Sequence, residues 1–131
     1  MIKKEITICG KKVNVAYCYA TEIGYNTLAD ENVSSFINEV AIAYQNDMLD
    51  NINSRKVLNL IIAAITAYYE YKGEEPPLKD KELMYEASAK DISLAVAAII
   101  GMYTEFYKLP SSETTDEKEE KASKKRKKKN A

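Results

Sequence analysis

The sequence predicts a mainly α-helical domain that opens with a short β-hairpin, an α+β arrangement, and ends in a disordered charged tail. Three observations carry this. The first twenty residues alternate apolar and polar side chains, the signature of strands. Two later segments stay apolar over helical lengths, and Gly73 with Pro76-Pro77 follows the first of them while Pro110 follows the second. At Leu109-Pro110 the composition changes abruptly: 111–131 holds no aromatic residue, and its only apolar residues are Ala122 and Ala131. Such a segment cannot bury enough surface to offset the entropy of ordering it. The chain therefore divides into a folded domain, 1–110, and a tail, 111–131. Charge divides at the same place. The domain carries 11 basic and 15 acidic residues, net −4, and the tail 8 and 5, net +3.

In the opening segment Ile2, Ile6 and Ile8 fall on one side and Lys3, Glu5 and Thr7 on the other. Val13, Val15, Tyr17 and Tyr19 share one side of a second run. Gly10-Lys11 suits a two-residue type II′ turn, with glycine supplying the positive φ. The matching register pairs Cys9 with Lys12, Ile8 with Val13, Ile6 with Val15 and Ile2 with Tyr19, which gathers the apolar residues on one face. It also sets Cys18 opposite Lys3, far from Cys9 along the strands. Two free thiols follow, as suits a reducing compartment.

A lone hairpin is marginal and its apolar face needs a cover. Helices supply it. Thr21 can N-cap a short helix with Glu22 in its first turn, though Gly24 and Asn26 leave its length open. A second helix begins near Ser34 or Ser35 and carries Phe36, Ile37, Val40 and Tyr44 at helical spacing. Ser54 caps a third over 55–72, with Gly73 as its stop. A shorter helix covers 78–87, and a last one runs from residue 89 or 90 to 108. The third and last helices are apolar around most of their circumference, whereas a surface helix shows one stripe. Either the two bury each other beneath the hairpin, or they leave apolar surface for another copy or another protein.

The chain contains no histidine, which removes the usual general base near neutral pH, the commonest zinc ligand and every Ser-His or Cys-His pair. Its 4 glycines are scattered, so no phosphate-binding loop exists, and the cysteines do not form a CxxC pair. An enzyme is not expected, and neither is a cofactor or a metal. Glu70, Glu74 and Glu75 read as a solvated helix end rather than as metal ligands. The longest apolar stretch, 57–69, is broken by Asn59 and Thr66 and is too short to span a bilayer, and no signal peptide is visible; a soluble cytoplasmic protein without membrane association is expected. The densest local motif is basic: Lys124, Lys125, Arg126, Lys127, Lys128 and Lys129. It could contact a phosphate backbone, but the domain's net negative charge opposes a duplex, and no aromatic stacking platform accompanies it.

The order of parts, with the hairpin pattern KEITICGKKVNVAYCYAT leading straight into a helix, resembles the tail assembly chaperones of long-tailed (siphovirus-type) bacteriophages. The counterparts are the extended run 6–8, Gly10-Lys11 at the turn, the second run 13–19, the acidic helix start Thr21-Glu22, the apolar helix over 57–69 and the late helix over 91–107. The resemblance covers 1–109. It implies a non-enzymatic protein of the host cytoplasm, absent from the mature virion, that coats the tape measure protein, keeps it soluble and helps recruit tail tube protein. A homo-oligomer is compatible with it. Many such chaperones have a second, frameshift-extended form, and the lysine run near the end is compatible with an A-rich slippery message.

Such a protein needs an apolar surface that grips helical segments without a precise sequence. The outer side of the two apolar helices is the expected place, with Ile61, Ile65, Tyr68, Tyr69, Ile99, Tyr103 and Tyr107 as contact residues; an ordinary core role is the competing reading for each. The competing function is a small helical nucleic-acid-associated protein acting through its lysine-rich tail, and a structural particle component is a third.

Overall fold

The computed structural model describes residues 1–48 and 51–108. An antiparallel two-stranded sheet, β1 (Ile2–Ile8) and β2 (Lys11–Tyr17), precedes five helices: α1 (Tyr19–Ala29), α2 (Val33–Gln45), α3 (Ser54–Lys72), α4 (Asp80–Glu86) and α5 (Ala89–Tyr107). The expected fold class is the observed one.

The hairpin forms with its apolar residues on one face, but in a register two residues away from the expected one. Ile6 pairs with Val13 and Ile2 with Tyr17. Because side chains alternate with a period of two, a slip of two keeps every apolar residue on its face. The turn residues are Cys9 and Gly10, at φ 54° and 74°, so both occupy the left-handed region as a type I′ turn requires. Glycine thus takes the second turn position rather than the first. The left-handed conformation costs a cysteine about 1–2 kcal/mol, and tertiary contacts offset it. The Cys9 N–H donates to Asp91 Oδ2 at 3.0 Å, and Lys11 Nζ meets Glu82 Oε2 at 2.6 Å and the Pro77 carbonyl at 3.1 Å. The hairpin tip is therefore fastened to the junction of α4 and α5. Tyr19, expected on the second strand, begins α1 instead and is exposed.

Helix ends follow local chemistry, at positions slightly different from those expected. Cys18, not Thr21, caps α1. Thr21 sits three residues in, wholly buried, accepting from the Cys18 N–H and donating to the Ala16 carbonyl. Asn32 precedes α2, which starts at Val33 rather than at a serine. Asn53 rather than Ser54 caps α3: its Oδ1 accepts from the N–H groups of Arg55 and Lys56. Gly73, left-handed at φ 70°, ends that helix as expected. Helix α4 is shorter than the expected 78–87, with Leu78 buried in the turn before it. Ser88 caps α5 through the Asp91 N–H.

The core surrounds α3. Its Leu60, Ile61 and Ala64 are fully enclosed, with Ala63, Ile65, Ala67 and Tyr69 nearly so. The sheet covers it with Val13, Val15 and Tyr17, and the Tyr69 hydroxyl accepts the Asn14 N–H at 3.1 Å. Helix α1 approaches it at Gly24, where a Cβ would stand 3.4 Å from that of Ala63. The residue that weakens the helix by propensity is also the one that lets α1 lie close. Tyr25 of α1 packs its ring on Phe36 of α2 at 5.8 Å and donates its hydroxyl to Glu31, and Lys56 of α3 bridges Glu31 and Glu39. Helix α5 buries one stripe only: Ala95, Ile99 and Met102.

These contacts set an expectation for Gly24. Gly24→Ala gains about 0.5–1 kcal/mol of helix propensity against a contact at ordinary van der Waals distance, so urea denaturation should find stability unchanged or slightly raised. Gly24→Val forces the helices apart and should lower stability by about 1–3 kcal/mol.

Candidate partner-binding groove

The seven contact residues expected from sequence do not form one surface. Ile61 and Ile99 are 0% exposed, Ile65 5% and Tyr69 7%. These four belong to the core, which corrects their placement on the outer side of their helices. The reason is packing: α1, the sheet, α4 and α5 together enclose α3, so no large apolar face remains free near its middle. Tyr68 is half-buried, its ring against Tyr69 and beneath the Lys72 ammonium at 5.9 Å. Tyr103 is half-buried and Tyr107 exposed at the far end of α5, within a cluster of rings that includes Tyr17, Tyr19 and Phe106. There Glu22 accepts hydroxyl hydrogen bonds from Tyr17 at 2.7 Å and Tyr107 at 2.5 Å. The basic run Lys124, Lys125, Arg126, Lys127, Lys128 and Lys129 lies outside the described residues.

The apolar surplus appears elsewhere. An open cleft of about 920 Å³ is lined by α2, the start of α3, the end of α4 and the first three turns of α5. Helix α2 contributes Ile37, Val40 and Tyr44, and α3 contributes Val57 and Leu58. Ile52 from the chain just before α3, Leu83 and Met84 of α4, and Ile92, Val96 and Ile100 of α5 complete its large side chains. None of the lining side chains carries a full charge; Ser54, Ser93 and Tyr44 supply its hydroxyls. The cleft exists because α5 is apolar on more than one side while the core uses only the stripe of Ala95, Ile99 and Met102. Ile92, Val96 and Ile100 lie about 100° around the helix from that stripe and are only half-buried, with Ile92 and Val96 at the edge of the core.

Sequence reasoning missed these residues, although the signal was present. Ile37, Val40 and Tyr44 recur at helical spacing, and Val96 and Ile100 belong to the helix recognised as apolar all round. Periodicity finds a stripe; it does not say which of two adjacent stripes a neighbour covers.

The chemistry of the titratable groups is structural. Cys9 and Cys18 are free thiols, as expected. Burial, then the nearby carboxylates of Asp91, Glu86 and Glu82, push the Cys9 thiol up, so it stays protonated and is a poor nucleophile. The Lys11 hydrogen bond, with that of the Lys79 N–H, holds Glu82 below the ordinary carboxylate range. Burial, with hydrogen bonds to Glu22 and Glu31, raises the phenols of Tyr17 and Tyr25. The Glu22 bond pushes Tyr107 up to about 12. Among the described residues no group of His, Cys, Asp and Glu side chains could hold a metal ion, and no helix is long and apolar enough to cross a membrane. Glu70, Glu74 and Glu75 are all exposed, and Glu75 pairs with Lys79. What the site offers is a broad, uncharged, apolar surface between helices, which suits the seating of another apolar helix face. No protein-family model matches this chain, and no curated protein or solved structure shows detectable similarity to it.

The Tyr107 bond has a testable pH signature. Its phenol titrates near 10 in the unfolded chain and near 12 in the folded one, so the stabilisation is complete below pH 10 and is lost as pH rises toward 12. Tyr107→Phe should flatten the alkaline decline of thermal stability over that window relative to the unmodified chain, and leave the slope below pH 9 unchanged.

Proposed function

We propose that this chain is a tail assembly chaperone of a long-tailed phage, which binds and solubilises the tape measure protein and helps recruit tail tube subunits. The observation that carries the reading is the uncharged apolar cleft beside α5, in a domain of the hairpin-then-helices order that the family resemblance implies. A holdase for a long helical client needs wide, non-directional affinity. Aliphatic side chains supply it without demanding a particular sequence, and many copies along one client add avidity. In this reading the contact surface is the cleft, with Tyr103, Tyr107 and Tyr68 at most peripheral to it. The protein acts in the host cytoplasm, leaves before the virion matures, needs no cofactor and is not an enzyme. A frameshift-extended form belongs to the same proposal. A heptamer such as AAAAAAG or AAAAAAC in the coding sequence, with an open −1 frame beyond it, supports that part, and its absence counts against it.

Co-expression with the tape measure protein tests the reading. Val96→Asp and Ile100→Asp place a charge in the cleft outside the enclosed stripe of α5. They should lower the soluble, co-purified tape measure protein at least tenfold and leave the helical circular dichroism intact. Leu94→Asp, on the exposed side of the same helix and outside the cleft, should have little effect. Undiminished co-purification with both cleft variants would falsify the reading. Removing 124–131 separates it from action on nucleic acid: the chaperone keeps its client without those residues, whereas loss of function together with loss of polyanion binding favours the nucleic-acid reading.

A further inference from the structure

The two-stranded sheet has two outer edges, and the fold treats them differently. The Ile8–Lys11 pair flanks the two-residue turn and exchanges both backbone hydrogen bonds, so Ile6–Val13, Lys4–Val15 and Ile2–Tyr17 do the same. The residues between these pairs point their N–H and C=O groups outward. On the β2 edge, side chains of the domain meet those groups: the Tyr69 hydroxyl accepts the Asn14 N–H at 3.1 Å, and the Thr21 hydroxyl donates to the Ala16 carbonyl at 2.8 Å. On the β1 edge the matching groups belong to Lys3, Glu5 and Thr7. All three residues are exposed, and among the described residues no strand or side chain bonds to those groups. The hairpin is also the basic part of an acidic domain, with Lys3, Lys4, Lys11 and Lys12 against Glu5 alone. Lys11 is held by Glu82, whereas Lys3, Lys4 and Lys12 are exposed and form no ion pair among the described residues.

We infer that the outer edge of β1 is a binding site for an extended acidic strand of a partner protein, which adds antiparallel to β1 as a third strand and sets adjacent carboxylates opposite Lys3 and Lys4. Backbone bonds to Lys3, Glu5 and Thr7 supply affinity without regard to sequence. The side chains set the choice of strand. Lys4 alternates with Ile2 and Ile6 and so lies on the face of the sheet that is turned toward the helices. A lysine in that position blunts an edge against an apolar strand, because its charge would lose water without gaining a partner. A carboxylate opposite it removes that cost. Neighbouring residues alternate between faces, so Lys3 and Lys4 together call for two consecutive acidic residues, one on each side of the incoming strand. A second copy of this chain fits poorly. Two-fold antiparallel pairing centred on Lys4 or Glu5 sets that residue against its own copy, and like charges directly opposite are destabilising. The edge shares no residue with the cleft, so this site goes beyond the chaperone reading and does not require it.

The test uses the whole chain and the end-blocked peptide Thr-Val-Thr-Glu-Glu-Val-Thr, whose two glutamates fall opposite Lys4 and Lys3 when its first residue pairs with Thr7. At saturating peptide the backbone amides of Lys3, Glu5 and Thr7 should exchange with solvent at least tenfold more slowly, as read by nuclear magnetic resonance. The same peptide with lysine in place of both glutamates should bind at least tenfold more weakly by fluorescence anisotropy. Glu5→Pro removes one outward N–H, costs the ladder no bond and deletes the carboxylate that would repel the peptide. Attraction by charge alone would then tighten, whereas strand addition should weaken at least fivefold. Binding that leaves the three amides unprotected, equal binding of the lysine peptide, or undiminished binding by a Glu5→Pro chain whose circular dichroism matches the parent each overturn the site. So does protection of those amides that rises with the concentration of the chain itself in the absence of peptide, since a second copy would then hold the edge. The first two measurements need only the unmodified chain and decide the matter if Glu5→Pro does not fold.

Discussion

The enclosure of α3 is the constraint on which the other elements depend. A helix apolar around most of its circumference is stable in water only when neighbours cover it on most sides. In this chain the neighbours are the hairpin, α1, α4 and α5. Each is too short or too apolar on one face to stand alone, so each gains its stability from the contact it makes with α3. The small residues Gly24 and Ala63 set how closely α1 can lie, and Tyr69 ties the sheet to the helix through the Asn14 amide. Close packing at this density leaves little freedom at any of these positions.

The same constraint explains the cleft. A domain of roughly 110 residues has enough elements to enclose one greasy helix, and α3 takes that place. Helix α5 is equally apolar but is fully covered along one stripe only. Its second stripe, with the inner face of α2 and the start of α3, is only half-buried and lines the cleft. Exposed apolar area of this kind is costly to solubility.

Polar contacts fix register and direction rather than supply bulk stability. The Cys9 amide on Asp91 and the Lys11 ammonium on Glu82 hold the hairpin tip against α4 and α5, and so select the type I′ turn at Cys9-Gly10 over the turn one residue later. The Lys56 ammonium between Glu31 and Glu39 fixes the first turns of α2 relative to α3. At the other end of the molecule, the phenols of Tyr17 and Tyr107 on Glu22 tie the ends of β2 and α5 to the first turn of α1. Exposed or half-exposed ion pairs add little energy each, but they decide which of several similar packings is used.

The hairpin, its apolar face, the number of helices and the stop at Gly73 were all legible in the amino-acid order, because they follow from side-chain period and backbone preference within a few residues. Equally legible was that two helices carried more apolar surface than ordinary surface helices do. Which of those surfaces is core depended on long-range packing. Ile61, Ile65, Tyr69 and Ile99 are enclosed by neighbours contributed by distant parts of the chain, while Val57, Val96 and Ile100 are only half-buried and line the cleft. Two stripes 100° apart on one helix look alike in sequence, and the difference between them lies in residues elsewhere in the chain that enclose one fully and cover the other only in part.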